Sequence, residues 1–568
     1  MGEQDTDGVE ALLAALGPFG WWQRGAVLLL LLPNLLAPMY SLNYVFVADR
    51  VPFRCLVPEC EEAHSAQFAN TTAARLVQTD ACRRPAPRRP GAQTCDPTDF
   101  DADDSLPCEQ FLYQNRDTVF AEFDLACREW RRTLIGTVRN AALPLALLLT
   151  GYVSDGWGRR TAFCVFGAFA GVLGLVKSLA PNYNTYIALE FFEAALGYGF
   201  NSAAYVISML LLIGRPRYRT EINARAVAVV ELARPSLRAV FACATGVAYG
   251  LGGILFAETA RRIPQWRSLL RVVHSPALVL PAYWLLLDES VRWLHAAGRV
   301  DEAAAVVRKA ARWNKVAIDE SFINESLTSS GNTGRTSVWI AIGQVARSRA
   351  LVLRLMACCS CWLMAAFVYY GLTINSIALA GNKYTNFALN MAMEIAASLL
   401  IMMALERIGR KITISVAFSL CGFAAVVPFF VGPGMTQRVM YFVGKLAITF
   451  AFNSLYVFTA ELFPTDARSS SLAAASLVGR IGSVLAPQTP LLSANAQAAA
   501  YGGAAAVGAL AAALMPETRR TPLPQRARDA EELRRYPAPP IPTRPPLRSV
   551  APHAPPGPAL TRIISPSV

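Results

Sequence analysis

Apolar stretches recur along this 568-residue chain at 22–47, 133–154, 161–180, 184–208, 237–257, 268–287, 351–373, 385–405, 412–432, 438–460, 471–492 and 498–515. Each is close to the roughly 20 residues that a helix needs to cross a hydrocarbon core, and in lipid the backbone must satisfy its hydrogen bonds internally, so helices are the natural reading. The pattern predicts an all-α membrane protein with twelve spans, six in each half. The first stretch lacks a small-residue cleavage site and exceeds a signal-peptide core, so it reads as a retained helix.

Polar punctuation repeats between the halves. The loop Gly151-Tyr152-Val153-Ser154-Asp155-Gly156-Trp157-Gly158-Arg159-Arg160 has a weaker echo in Glu406-Arg407-Ile408-Gly409-Arg410-Lys411. Glu231 to Arg238 mirrors Glu461 to Arg468, and Asp288-Glu289-Ser290 mirrors Pro516-Glu517-Thr518. Two homologous bundles point to a carrier, because a site between repeats opens to either side when one rocks against the other. The organisation is an N-terminus (1–21), helix 1 (22–48), a long loop (49–131), helices 2–6 (132–290), a central loop (291–350), helices 7–12 (351–516) and a tail (517–568).

Composition agrees, with 54% hydrophobic and 16% charged residues. Basic residues gather in the short loops at 159–160 and 407–411 and in the central loop, which the positive-inside rule places in the cytoplasm with both termini. The net charge of +13 therefore reflects topology and a basic tail, and nucleic acid is not an expected partner. The tail is rich in Pro and Arg without apolar periodicity and reads as a solvated, unstructured segment. Loop 49–131 falls outside and holds Cys55, Cys60, Cys82, Cys95, Cys108 and Cys127 together with the glycosylation sequon at Asn70. It reads as a disulfide-bonded ectodomain, with fifteen possible pairings left open. The four histidines, His64, His274, His295 and His553, form no motif. With no metal-ligand cluster, phosphate loop or nucleophile–base constellation in the sequence, neither an enzyme nor a cofactor or metal is expected.

Ionisable residues that persist inside spans mark function or internal pairing. Those that stand out are Glu394, Lys445, Arg480 and the pair Glu190 and Glu193. The glutamate pair reads as a structural or gating element, or as a contact to substrate or proton. Lys445 either touches substrate or neutralises a carboxylate. Arg480 either grips a carboxylate-bearing substrate bidentately or closes an internal ion pair.

The cysteine-rich loop, Ala121-Glu122-Phe123-Asp124-Leu125-Ala126-Cys127, the glycine-arginine loop, Asp288 to Leu294, and Tyr456-Val457-Phe458-Thr459-Ala460-Glu461-Leu462-Phe463-Pro464-Thr465 together resemble solute carrier family 22, the organic cation, anion and carnitine transporters of the major facilitator superfamily. The resemblance implies a polyspecific plasma-membrane carrier of small organic ions working as uniporter, exchanger or symporter, with a coupling ion or counter-substrate and membrane lipid as further partners. It also implies roles for particular residues. Arg480 stands where anion and carnitine carriers have arginine and cation carriers aspartate, and Asn43 sides with the same branches. Glu394 matches an acid of cation and zwitterion carriers, which together with Arg480 suits a zwitterion such as carnitine. Tyr369, Tyr370 and Tyr456 match pocket aromatics. Asp155, Arg159, Arg160, Glu406 and Arg410 would form a latch with helix ends near Glu231, Arg238, Glu461 and Arg468. Rival readings are an organic cation uniporter and a non-transporting receptor or scaffold. Two positions depart from the family pattern: Phe191 replaces an arginine, and Asp288 a proline.

The repeat also has a defect. Asp155 to Glu231 spans 76 positions against 55 for Glu406 to Glu461. The excess fits 209–229, which reads as a retained intron or gene-model error, the alternative being a genuine loop insertion. Sequencing the transcript tests this: the expected mature message lacks these codons, and their presence would establish an insertion.

Overall fold

The computed structural model describes residues 7–17, 20–61, 66–69, 81–88, 96–204, 237–328, 343, 345–431, 434–519, 521, 524 and 526–533. Asn70, Cys95, Glu231 and the suspected insertion 209–229 lie outside the described residues, as do the side chains of Arg238 and Glu406.

Helices occupy all twelve predicted positions: α1 (Trp21–Ser41), α2 (Glu129–Trp157), α3 (Arg159–Lys177), α4 (Tyr183–Gly197), α5 (Leu237–Arg262), α6 (Trp266–His274, continuing to Leu286), α7 (Arg349–Asn375), α8 (Lys383–Ile408), α9 (Arg410–Val431), α10 (Met435–Leu462), α11 (Thr465–Leu485) and α12 (Ala494–Leu514). Among the described residues, ten helices are long and apolar enough to cross a membrane. The buried apolar side chains fall mainly into two clusters, the first of which also takes in Ile374, Phe387, Met391 and Ala486 of the second half. One cluster is built around Phe163, Phe200, Phe256 and Trp266, the other around Trp362, Phe418, Phe450 and Phe458. The halves meet where α5 packs along α8 and α2 along α11. The repeat exchanges α2 with α8 and α5 with α11, so these two seams are symmetry mates. Small residues permit the approach: a Cβ on Gly246 of α5 would meet the Ser398 side chain of α8.

The cysteine-rich loop holds two antiparallel ribbons, β1 (Phe53–Cys55) with β4 (Phe111–Tyr113) and β2 (Arg83–Pro87) with β3 (Phe100–Pro107). Disulfides join Cys55 to Cys108 and Cys82 to Cys127, resolving part of the pairing that spacing left open. Glu122 fastens this loop to the start of α6, accepting from the Trp266 indole at 2.5 Å and from Arg267 Nη2 at 2.5 Å.

Within the segment expected to be a solvated tail, the described residues 526–533 include a docked helix. Arg354, buried at the foot of α7, donates to the carbonyls of Ala530 and Glu531 at the end of a short helix, Ala527–Glu532. Ala530 shares an apolar cluster with Val345, Leu351 and Ala467. Composition hid this because the docking carbonyls belong to the backbone, and their partner, Arg354, is far away in sequence.

Inside the first half, Glu190 and Glu193 meet two bases. Arg139 Nη1 lies 2.7 Å from Glu190 Oε1 and 2.6 Å from Glu193 Oε2, while Lys177 Nζ lies 2.8 Å from a carboxylate oxygen of each. All four are at most 3% exposed. Two positive and two negative charges cancel, and both oxygens of each carboxylate are engaged. The glutamate pair is thus occupied by structure. Removing one member of such a cluster strands buried charge. Arg139→Leu should destabilise the protein by about 3–5 kcal/mol, read as a lower thermal midpoint of the detergent-purified chain, with Arg139→Lys losing less; an unchanged midpoint would show that the cluster is dispensable.

Candidate functional site between the halves

The second half sends four helices' worth of polar side chains toward its seam with the first. On α8, Glu394 is 4% exposed and on α10, Lys445 is fully buried. Lys445 Nζ sits 2.8 Å from Glu394 Oε1 and 2.8 Å from Thr373 Oγ1 of α7, and 3.5 Å from the centroid of the Tyr369 ring. Thr449 Oγ1 donates to the same glutamate oxygen at 3.3 Å. Lys445 and Glu394 thus form a buried ion pair. Tyr369 stacks on Phe452 at 5.2 Å, and Tyr456 meets Trp362 edge-on at 4.5 Å.

Arg480 of α11 differs from the other intramembrane bases. Among the described residues, no carboxylate lies within 4.0 Å of it, so the internal Glu–Arg pair is not formed here. Its Nε is buried without a hydrogen-bond partner. The guanidinium is surrounded by the phenols of Tyr198, Tyr370 and Tyr456, with the Tyr198 ring centroid at 5.9 Å. Tyr198 follows α4 and so reaches across from the first half. Tyr249 of α5, hydrogen-bonded to Ser41 at 3.3 Å, also faces Tyr370 and Glu394. Arg480, Tyr198, Tyr249 and Tyr370 all retain partial accessibility, so this group of side chains is not fully enclosed by packing. Asn43 is elsewhere: fully buried, its Nδ2 donates to the Tyr40 carbonyl at 3.1 Å and lies 3.3 Å from His274 Nε2. Sequence reasoning missed Tyr198 and Tyr249, since tyrosines in apolar spans are ordinary, and missed Arg139 and Lys177. Two acids three residues apart on α4 should have prompted a search for two bases on neighbouring spans.

On the side bearing the cysteine-rich loop, the halves are joined by Lys383 Nζ of α8, 2.6 Å from Asp49 Oδ2 just beyond α1. Beside it, Phe46 stacks on Tyr384 at 5.2 Å and packs on Phe387 at 5.0 Å. A cavity of about 680 Å³ opens there, lined by Asp49, Arg132, Lys383, Tyr441 and Tyr501 among others. It does not reach Glu394 or Arg480, and the placement of charge, rather than volume, locates the central site.

On the opposite side, both glycine-arginine loops share one construction. Glu289, after α6, accepts from the backbone N–H groups of Arg159 and Arg160 at 3.0 and 3.1 Å. Glu517, after α12, accepts from those of Arg410 and Lys411 at 2.9 and 3.1 Å. Each carboxylate caps the N-terminus of the third helix of its half, satisfying orphan donors and complementing the helix dipole. Gly158 (φ 101°) and Gly409 (φ 113°) precede these helices in the left-handed region, and an added Cβ would strike the capping carboxylate at either position. The glycine in each loop is thus fixed by geometry. Asp155 pairs with Arg159 at 3.3 Å, and Arg410 Nη2 lies 3.1 Å from Glu461 Oε1. Arg468 has Nε and Nη2 buried without a hydrogen-bond partner.

Two six-helix halves, symmetric seams and polar residues converging between them define a membrane carrier of the major facilitator fold. The chain belongs to the sugar (and other) transporter family, which it matches over residues 220–523, more than half of its length, and within it to solute carrier family 22. It is 28% identical to rat solute carrier family 22 member 7, covering 92% of this chain and 98% of that protein. It is 27% identical to rat organic cation/carnitine transporter 2, covering 92% and 93%, and 27% identical to the Drosophila melanogaster organic cation transporter protein, covering 94% and 96%. The proton:xylose symporter XylE bound to 6-bromo-6-deoxy-D-glucose shares the fold at 16% identity and a TM-score of 0.50, over 93% of this chain and 99% of that one.

Glu289→Gln and Gly158→Ala should each lower the thermal midpoint of the purified protein. Their effects should combine less than additively because both act on one contact; full additivity would separate the glycine from the cap.

Proposed function

We propose that this transporter carries small organic anions by alternating access, with Arg480 as the anion-binding residue. The observation that supports this reading is the difference between the two bases at the centre: Lys445 is matched by Glu394, whereas Arg480 has no carboxylate beside it among the described residues. A half-buried guanidinium whose Nε–H has no partner and whose neighbours are phenols rather than carboxylates suits a carboxylate, which it can hold through two parallel hydrogen bonds. The ring of phenols would supply aromatic surface and further donors. A zwitterion such as carnitine is the second reading. Glu394 and Tyr369 favour it, since together they already hold one ammonium, that of Lys445, and could exchange it for another.

In this proposal, the positive-inside rule puts the glycine-arginine loops in the cytoplasm and the cysteine-rich loop, glycosylated at Asn70, outside a plasma membrane. The Asp49–Lys383 pair then closes the outer side and must break for substrate to enter. The two basic loops, with Glu461 and Arg468 and with Glu231, Arg238 and Glu406, form the inner latch.

Arg480→Asp should invert the charge preference, cutting uptake of a labelled organic anion at least tenfold while admitting a quaternary ammonium cation. A well-expressed variant with unchanged selectivity would remove Arg480 from the site.

A further inference from the structure

The halves differ at one place where the repeat predicts likeness: Asp288 stands opposite Pro516. Asp288 is not idle. Its Oδ2 accepts from the Trp22 indole N–H at the foot of α1 at 2.9 Å, and its Oδ1 accepts from Lys309 Nζ at 2.7 Å. Lys309 belongs to a central-loop helix, Val300–Asn314. At the end of that helix Asn314 accepts from the Trp22 backbone N–H at 2.9 Å, and donates to the Leu16 carbonyl and to Gln23 Oε1, both at 2.9 Å. Gly20 makes room, since a Cβ there would overlap the Asn314 side chain. Beneath these bonds lies an apolar centre that includes Leu12, Trp22, Trp293, Val307 and Ile323. Trp293, in the same group of helices, donates from its indole to the Asp155 carbonyl at 3.0 Å.

We infer that Asp288 is a positioning residue for transport: it clasps the central-loop helices to α1, so that they move with the first half and hold Trp293 against the Asp155–Arg160 loop. The central loop is covalently tied to both halves, to α6 on one side and α7 on the other, and non-covalent bonds decide which half it follows. Lys309 and Asn314 tie Val300–Asn314 to Asp288 and to Trp22 and Gln23 of the first half, Trp293 ties Val291–Ala296 to the Asp155 carbonyl, and Asp288 links Lys309 to Trp22 by accepting from both. A proline there would remove the carboxylate and with it both bonds. Charge-assisted hydrogen bonds are the stronger kind, and Trp22 is only 8% exposed, so its indole N–H has little water to fall back on.

The test uses the purified full-length chain and three variants, Asp288→Pro, Trp22→Phe and the double variant, followed by backbone hydrogen exchange, which needs no substrate and so is independent of the proposed specificity. Asp288→Pro and Trp22→Phe should each speed exchange about tenfold both in Val300–Asn314 and at the start of α3 near Arg159, and the double variant should add little. In transport, turnover per surface molecule should fall several-fold with KM changed less than twofold. Exchange confined to residues beside 288, or independent and additive effects, would overturn the inference. So would variants whose only defect is less protein at the surface with native turnover per molecule. If exchange responds as expected and no organic anion is carried, the clasp stands and the anion reading falls.

Discussion

A charge taken out of water into a membrane protein has to be met by another charge or by a ligand, and this constraint organises the interior. In the first half Glu190 and Glu193 are met by Arg139 and Lys177. In the second, Glu394 is met by Lys445. In the first-half cluster both oxygens of each carboxylate are engaged, so these charges fix helix positions. Arg480 is the described base at the seam for which no such pairing exists, and its surroundings are phenols from both halves. The same constraint is the basis for proposing Arg480 as the residue that meets a charge on the substrate.

The internal repeat carries the second layer of organisation. Symmetry-related seams, α2 with α11 and α5 with α8, join the two halves, the arrangement that the proposed alternating access requires. The glycine-arginine loops repeat down to single contacts, with Glu289 over Gly158 and Glu517 over Gly409 doing the same work. These caps tie the last helix of each half to its third helix, so a half moves as one body. Where the repeat fails, at Asp288 against Pro516, the first half has a carboxylate that accepts from Trp22 and Lys309, which the proline cannot do. Opposite these loops, the Asp49–Lys383 pair joins the halves directly, and the two ends of the molecule therefore make different demands during a cycle.

Much of this was legible in the chain. Twelve apolar stretches, the repeated loops and the cysteine-rich insertion between the first two helices lead to the fold, because helix length and hydropathy in lipid leave few alternatives. The glycine-arginine loops announced themselves, and the matching D-E-S and P-E-T strings pointed at the caps without revealing what they do. Arg480 stood out because arginine is rare at mid-span. What could not be read was pairing. A string of residues does not say that Glu394 faces Lys445 and leaves Arg480 alone, since those helices are distant in sequence and their rotation about their own axes is set by packing. Arg139 and Lys177 sat near the ends of apolar runs, where a basic residue usually turns to the headgroups. Asp49 and Lys383 flank spans and look like loop charges. The docked helix Ala527–Glu532 was hidden in a proline-rich tail because its anchor, Arg354, is far away in sequence.

The claim on which the functional account rests is that an unpaired guanidinium between the halves selects anions. The most direct measurement is parallel uptake, by cells expressing the native chain at the surface, of a labelled small organic anion, carnitine and a quaternary ammonium cation. The account predicts saturable uptake of the anion, exceeding that of the cation. Saturable uptake of the cation with none of the anion would contradict it.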